Sequence, residues 1–181
     1  MQKENKTEKI LEKIKGKRVG IFIDDANLFY MQKRIGWKID WLKFKKFLNG
    51  YVKEGIYAYY IGMPPSGQAR LENERIKKEL EIVGFSVKTK PLKKIYLDDK
   101  KMDFKNKCNF DVEIAFDIAR IIEKLDSIII VSGDSDFLEA KNFCIEKGKD
   151  FLMICFEERV AWEIRRIYHL FFEDIKEIVK K

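Results

Sequence analysis

The sequence predicts an α/β fold in which a parallel sheet is covered by helices on both faces. The runs RVGIFID (18–24), SIIIVS (127–132) and DFLMICF (150–156) are apolar almost throughout, as strands buried on both faces must be. Segments with helical spacing of apolar residues separate the strands, the alternation that builds βαβ units. The length of 181 residues, 46% of them hydrophobic and only 3 of them Pro, suffices for one sizeable core and excludes a disordered or repetitive chain.

Residues 3–17 read as a short charged helix with Ile10, Leu11 and Ile14 as a thin apolar stripe, an appendage to a domain spanning 18–181. The first strand is 18–24. Asn27 to Arg34 and Asp40 to Leu48 read as helices, the second with Trp41, Phe44, Phe47 and Leu48 on one face. Tyr57 to Ile61 is a strand, Gly62 to Gly67 a loop, and Gln68 to Val83 an amphipathic helix stopped by Gly84. Phe85 to Thr89 is a third strand, and Pro91 to Lys107 is irregular or a hairpin. Asn109 can cap a helix over about 110–124 that is apolar around most of its circumference. After SIIIVS come a helix at about 135–147, a fifth strand, and helices near 159–166 and 173–180.

Several function classes are excluded early. No apolar run reaches the ~18 residues that span a bilayer, and the charged start is no signal core, so a soluble, cytoplasmic protein without a membrane partner is expected. Cys108, Cys144 and Cys155 are odd in number and lack CxxC spacing, which points to reduced thiols and not to a disulfide framework or a zinc cage. The single histidine, His169, reads as a packing or surface residue and excludes two-histidine chemistry. Charge is divided unevenly, with 26 Lys and Arg against 14 acids in residues 1–110 and 11 against 16 in 111–181. The densest basic stretch holds Lys88, Lys90, Lys93, Lys94, Lys100, Lys101, Lys105 and Lys107 with Tyr96 interleaved, a composition able to neutralise phosphates and stack on bases of a flexible strand. A solvated hairpin is the plainer reading of the same residues.

In an open parallel sheet, ligands bind beyond the carboxyl ends of the strands where strand order reverses. Asp24 and Asp25 end the first strand, Asp134 and Asp136 follow SIIIVS after Gly133, and Asp111 opens the buried helix. Each also has a plainer use as a helix N-cap. Together they imply raised pKa values or a cation, and oxygen-only ligands favour Mg²⁺ or Mn²⁺, which can activate a water against a phosphoryl group. Competing acidic sites fail on spacing. A haloacid-dehalogenase-type pair would need an aspartate where Ala26 stands, no acceptor aspartate for a receiver domain lies near position 70, and GxxxxGK[ST] and GxGxxG are absent.

VGIFIDDANLFY, KCNFDVEIAFDIAR and IIIVSGDSDFLEAKNFCIEKGKDFLMI, in that order and spacing, resemble the NYN (LabA-like) family of the PIN-like ribonuclease superfamily over roughly residues 18–173. The resemblance implies a three-layer α/β/α sandwich with a mainly parallel central sheet and a metal-dependent ribonuclease site. By position it implies Asp24, Asp111, Asp134 and Asp136 as the catalytic and metal-binding acids, Asn27 as the brace of the first turn, and Asp117 as an acid further along the helix. Asp111 and Asp117 lie about 240° apart around a helix, so Asp117 ranks below Asp111 as a ligand. Ser132 and Ser135 could offer hydroxyls, though turn hydrogen bonding also explains them. The chain departs from the family at Asp25, where glycine is common. The expectation is an endoribonuclease dependent on Mg²⁺ or Mn²⁺ that cuts single-stranded or loop RNA, with a non-cleaving RNA-binding adaptor of the same fold as the alternative and a homo-oligomer left open.

Overall fold

The computed structural model describes residues 2–96, 104–158 and 160–181. Six parallel strands form the sheet: β1 (Arg18–Asp24), β2 (Glu54–Met63), β3 (Ser86–Pro91), β6 (Ser127–Val131), β7 (Asp150–Cys155) and β8 (His169–Phe171), in the order β3-β2-β1-β6-β7-β8. Every neighbouring pair is parallel. From β1 the chain steps outward to β2 and β3, then returns to the other side of β1 with β6 and steps outward again. The strand order therefore reverses between β1 and β6, where Val19 to Ile23 pair with Ser127 to Val131. A separate antiparallel pair, β4 (Lys93–Tyr96) and β5 (Phe104–Lys107), occupies the segment left open between hairpin and irregular structure.

Alternating side chains of the strands divide the core in two. Ile21, Ile23, Tyr57, Tyr59, Ile129 and Val131 face one layer, which holds α1 (Gln2–Leu11), α2 (Asp25–Ile35), α3 (Trp41–Asn49), α4 (Gln68–Val83) and α7 (Lys176–Val179). Phe22, Tyr60, Ile128, Ile130 and Met153 face the other, covered by α5 (Asp111–Ile121) and α6 (Leu138–Glu146). This is the three-layer sandwich.

Three elements differ from the sequence reading. The N-terminal helix is no loose appendage, because Ile10, Leu11 and Ile14 are buried in the first core. In place of the helix expected near 159–166, the described residues 160–166 hold a 3-10 turn, Ile164–Arg166, and the following HLF pairs with β7 as a sixth strand. The terminal helix shrinks to a 3-10 turn, Phe172–Asp174, followed by α7. The stop after α4 is as expected: Gly84 adopts φ 86°, which disfavours residues with a Cβ, and Lys45 Nζ donates to the carbonyls of Val83 and Gly84 at 2.8 and 3.0 Å.

Candidate functional site

The carboxyl ends of β1 and β6 meet at the reversal of strand order, the place where an open parallel sheet leaves a crevice. Two turns are laced together there. Asn27, in the first turn of α2, accepts the Gly133 N–H at 2.8 Å, so the turn after β1 holds the turn after β6. Gly133 has no positive φ, so the turn does not need glycine for its backbone conformation. It serves by leaving room, since a Cβ there would come within 3.3 Å of Asn27 Oδ1.

Asp24 is 5% exposed and uses both carboxylate oxygens: one accepts the Ala26 N–H at 3.2 Å, capping α2, and the other accepts the Ser132 hydroxyl at 3.2 Å. The cap and the site are one residue. Ser132 Oγ also takes the Asp134 N–H at 3.2 Å, and Asp134 takes the Asp136 N–H at 3.0 Å, capping the 3-10 turn Ser135–Phe137. Asn109 accepts the Asp111 N–H at 2.7 Å and aims the start of α5 at the same crevice. Asp111, Asp134 and Asp136 thereby bring one carboxylate oxygen each within 4.8 Å of the others. Ser135 is half-buried in the turn between them.

The electrostatics follow from this crowding. Burial first, then the charge of Asp111, pushes the Asp24 carboxyl up to about 7, against the opposing Ser132 bond. Asp111 is also raised, by burial and then by Asp134 and Asp136, with its Asn109 hydrogen bond pulling the other way. Among the described residues no ion pair joins Asp24, Asp111, Asp134 or Asp136 to a Lys or Arg. An all-oxygen set with uncompensated charge fits a hard divalent cation.

Asp117 belongs to a different arrangement. It accepts the Tyr60 hydroxyl at 2.7 Å and Arg120 at 3.0 Å, and it pairs with Lys88. Burial would raise its carboxyl, but these partners outweigh that and hold it below the usual carboxylate range. Lys90 pairs with Glu113 at 2.6 Å in the same way. The ladder is geometric: two residues along a strand advance ~6.6 Å and four along a helix ~6 Å, so Lys88 and Lys90 on β3 match Asp117 and Glu113 on α5. Lys88 and Lys90, expected to hold nucleic acid, are thus each paired with an acid of α5 while their side chains stay partly exposed.

Of the remaining basic stretch, Lys93, Lys94, Tyr96, Lys105 and Lys107 fall in the β4–β5 pair, where Lys93 stands opposite Lys107. Lys100 and Lys101 lie outside the described residues, as do the side chains of Tyr96, Lys105 and Lys107. His169 sets its Nδ1 2.8 Å from the Ile167 carbonyl and packs on Phe171, the packing role expected. Cys144 and Cys155 are buried free thiols, and Cys108 is half-buried and free. Asp25 faces away from the four acids: its carboxylate accepts the Tyr59 hydroxyl, and burial, opposed by that bond, pushes it up to about 6. The partnerships of Tyr59 and Tyr60 went unread in the sequence, where YAYYI carries only a strand signal.

Comparison with known proteins bears on this geometry. The family profile described as the NYN domain matches residues 18–173. A curated protein of Synechococcus elongatus, "Low amplitude and bright protein LabA", is 29% identical over 168 residues, covering 91% of this chain and 88% of its own. A crystal structure of a protein of unknown function from Vibrio parahaemolyticus superposes with a TM-score of 0.68 at 19% identity, covering 91% of this chain and 96% of that one, a likeness of fold. No described helix is long and apolar enough to cross a membrane.

Proposed function

The chain belongs to the NYN domain family, and from that membership and the crevice at β1 and β6 we propose that it is a metal-dependent endoribonuclease hydrolysing phosphodiester bonds in single-stranded or loop RNA. The observation that carries the reading is the convergence of Asp111, Asp134 and Asp136 within 4.8 Å, beside the buried Asp24, with no basic partner for any of them among the described residues. These four acids would hold Mg²⁺ or Mn²⁺. Such an ion, when bound, offsets the charge of the phosphoryl group and lowers the pKa of an attacking water.

The chain's own residues do the rest. Asp111, Asp134 and Asp136 present oxygens from α5 and from the turn after β6, two elements held rigidly by the sheet and the second core. Ser132 fixes Asp24 with its hydroxyl and the Asp134 backbone with its lone pair, so both acids keep one geometry as substrate arrives. Asn27 keeps the two turns in register through Gly133. The lysines of the β4–β5 pair, Lys93, Lys94, Lys105 and Lys107 with Lys100 and Lys101 between the strands, are proposed to hold the RNA backbone, with Tyr96 to stack on a base.

The test is incubation of the purified chain with labelled single-stranded RNA and DNA in Mg²⁺, Mn²⁺ or EDTA. RNA cleavage that needs the ion and stops in EDTA is the expected result. RNA binding without cleavage under every condition would replace the nuclease by a non-cleaving adaptor.

A further inference from the structure

On the face of the sheet opposite the four acids, α2, α3 and α4 enclose a cavity of about 320 Å³, at the small end of the range for small-molecule sites. Its floor is Tyr59, 1% exposed, with the half-buried Asp25 and Trp41 beside it. Trp41 and Tyr59 meet edge to face with centroids 5.1 Å apart, leaving a rigid aromatic wall. Phe29, 45% exposed, lines the side toward α2. The rim is basic: Lys33, whose Nζ lies 4.8 Å from the Phe29 ring centroid, Lys38 and Arg75.

Two acids share the lining but are occupied. Asp40 caps α3 by accepting the Lys43 N–H at 3.0 Å, and Glu79 lies 3.5 Å from Arg75. Asp25 caps no helix and pairs with no cation among the described residues. Tyr59 engages its Oδ1, and Oδ2 has no bond to a described residue. A carboxylate is an acceptor only, with about four lone-pair positions on its two oxygens. A ligand meeting this floor must therefore bring donors, and its flat body must fit between aromatic side chains. A ligand meeting the rim must bring negative charge.

We propose that this cavity binds a guanine nucleotide, with the adjacent N1–H and N2–H donors of the base on Asp25, the ring against Trp41, which Tyr59 backs, and the phosphate at Lys33, Lys38 and Arg75. Among the common bases, guanine alone offers two adjacent donors to a carboxylate. The nucleotide is either free or part of an RNA strand. The site is separate from the four acids, because its floor Tyr59 belongs to the first core and Asp25 turns to it, although the charge of Asp25 also helps to raise its neighbour Asp24.

The experiment is calorimetric titration of the full chain with GMP, guanosine, AMP and CMP in EDTA, which keeps divalent ions out. GMP binds more tightly than AMP or CMP, and Trp41 reports it by fluorescence. Asp25→Asn weakens GMP by about 5- to 150-fold, the range for one bidentate pairing with a base. Should that variant melt early, the Lys33→Gln/Arg75→Gln pair, at exposed positions, decides: it weakens GMP while leaving guanosine unchanged. Displacement of GMP by a guanine-containing pentanucleotide and not by a guanine-free one assigns the nucleotide to RNA. Displacement by neither assigns it to the free pool. No GMP binding at millimolar concentration, equal binding of all the nucleotides, equal displacement by both pentamers, or indifference of GMP to both variants overturns the proposal.

Discussion

Replacing Asp24 by Asn should stabilise the metal-free protein at alkaline pH while removing a group the proposed chemistry needs. The folded chain holds the Asp24 proton up to about 7, whereas an ordinary aspartate releases it at 3.8. Below about 4 the group is protonated in both states and costs nothing extra. As pH rises from about 4 to 7 the unfolded chain loses the proton first, so stability falls, and above about 7 the full penalty applies. The difference in proton affinity is roughly a thousandfold, or about 4 kcal/mol, of which about 1.5 kcal/mol is already present at pH 5. Asparagine carries no charge and can still accept the Ala26 N–H. The variant's advantage over wild type should therefore grow by about 2.5 kcal/mol between pH 5 and pH 8, or about 5–10 °C in Tm for a chain of this size. Thermal unfolding in EDTA at the two pH values measures it. Mn²⁺ at a hundred times Kd should narrow the gap at pH 8, because the filled site gains wild type about 2.7 kcal/mol of the roughly 4 kcal/mol penalty and the variant binds the ion less tightly. An Asp24→Asn advantage that is absent, or the same at both pH values, would refute the assignment of Asp24 as a buried acid crowded by like charge.

Other outcomes are expected. Asp117→Asn should destabilise by about 1–3 kcal/mol in chemical denaturation, because Lys88 and Arg120 lose their charged acceptor and Tyr60 keeps only a neutral one, while metal affinity by calorimetry stays unchanged. Ser127→Ala should raise stability by about 1 kcal/mol, since the Ser127 hydroxyl is fully buried with no partner among the described residues, and a rise in denaturation midpoint at constant slope is the readout. Changing Lys93, Lys94, Lys100 and Lys101 to Gln should weaken RNA binding and flatten its log–log salt dependence by up to about 0.7 for each phosphate no longer neutralised, with cleavage at saturating RNA little changed.

The layers and the site positions were legible in the sequence for one reason: a charge placed directly after an apolar strand must stand at the sheet's rim. RVGIFID ending in Asp24 and SIIIVS leading to Asp134 met that condition, and the 240° separation kept Asp117 apart from Asp111. What stayed illegible depended on pairings between distant segments. The pairing of Lys88 with Asp117 cannot be read until β3 is set against α5, 29 residues further on. Asp25 looks like a surplus charge beside the acidic cluster until Tyr59, 34 residues away on the next strand, turns it to the opposite face. The short β8 is recognisable only through its pairing with β7, because three residues within RRIYHLFF carry no periodicity of their own.

The most direct measurement is the single-turnover rate of RNA cleavage by wild type and Asp134→Asn at equal, saturating Mn²⁺, with RNA affinity and melting temperature recorded on the same samples. Asp134 both offers a carboxylate to the cluster and caps the turn through the Asp136 N–H, and asparagine can keep the cap while losing the charge. A loss of cleavage by two orders of magnitude or more, on the order of 3 kcal/mol in the barrier, with RNA affinity and melting little changed, is predicted. Cleavage by Asp134→Asn at the wild-type rate would contradict the placement of the active site at the ends of β1 and β6.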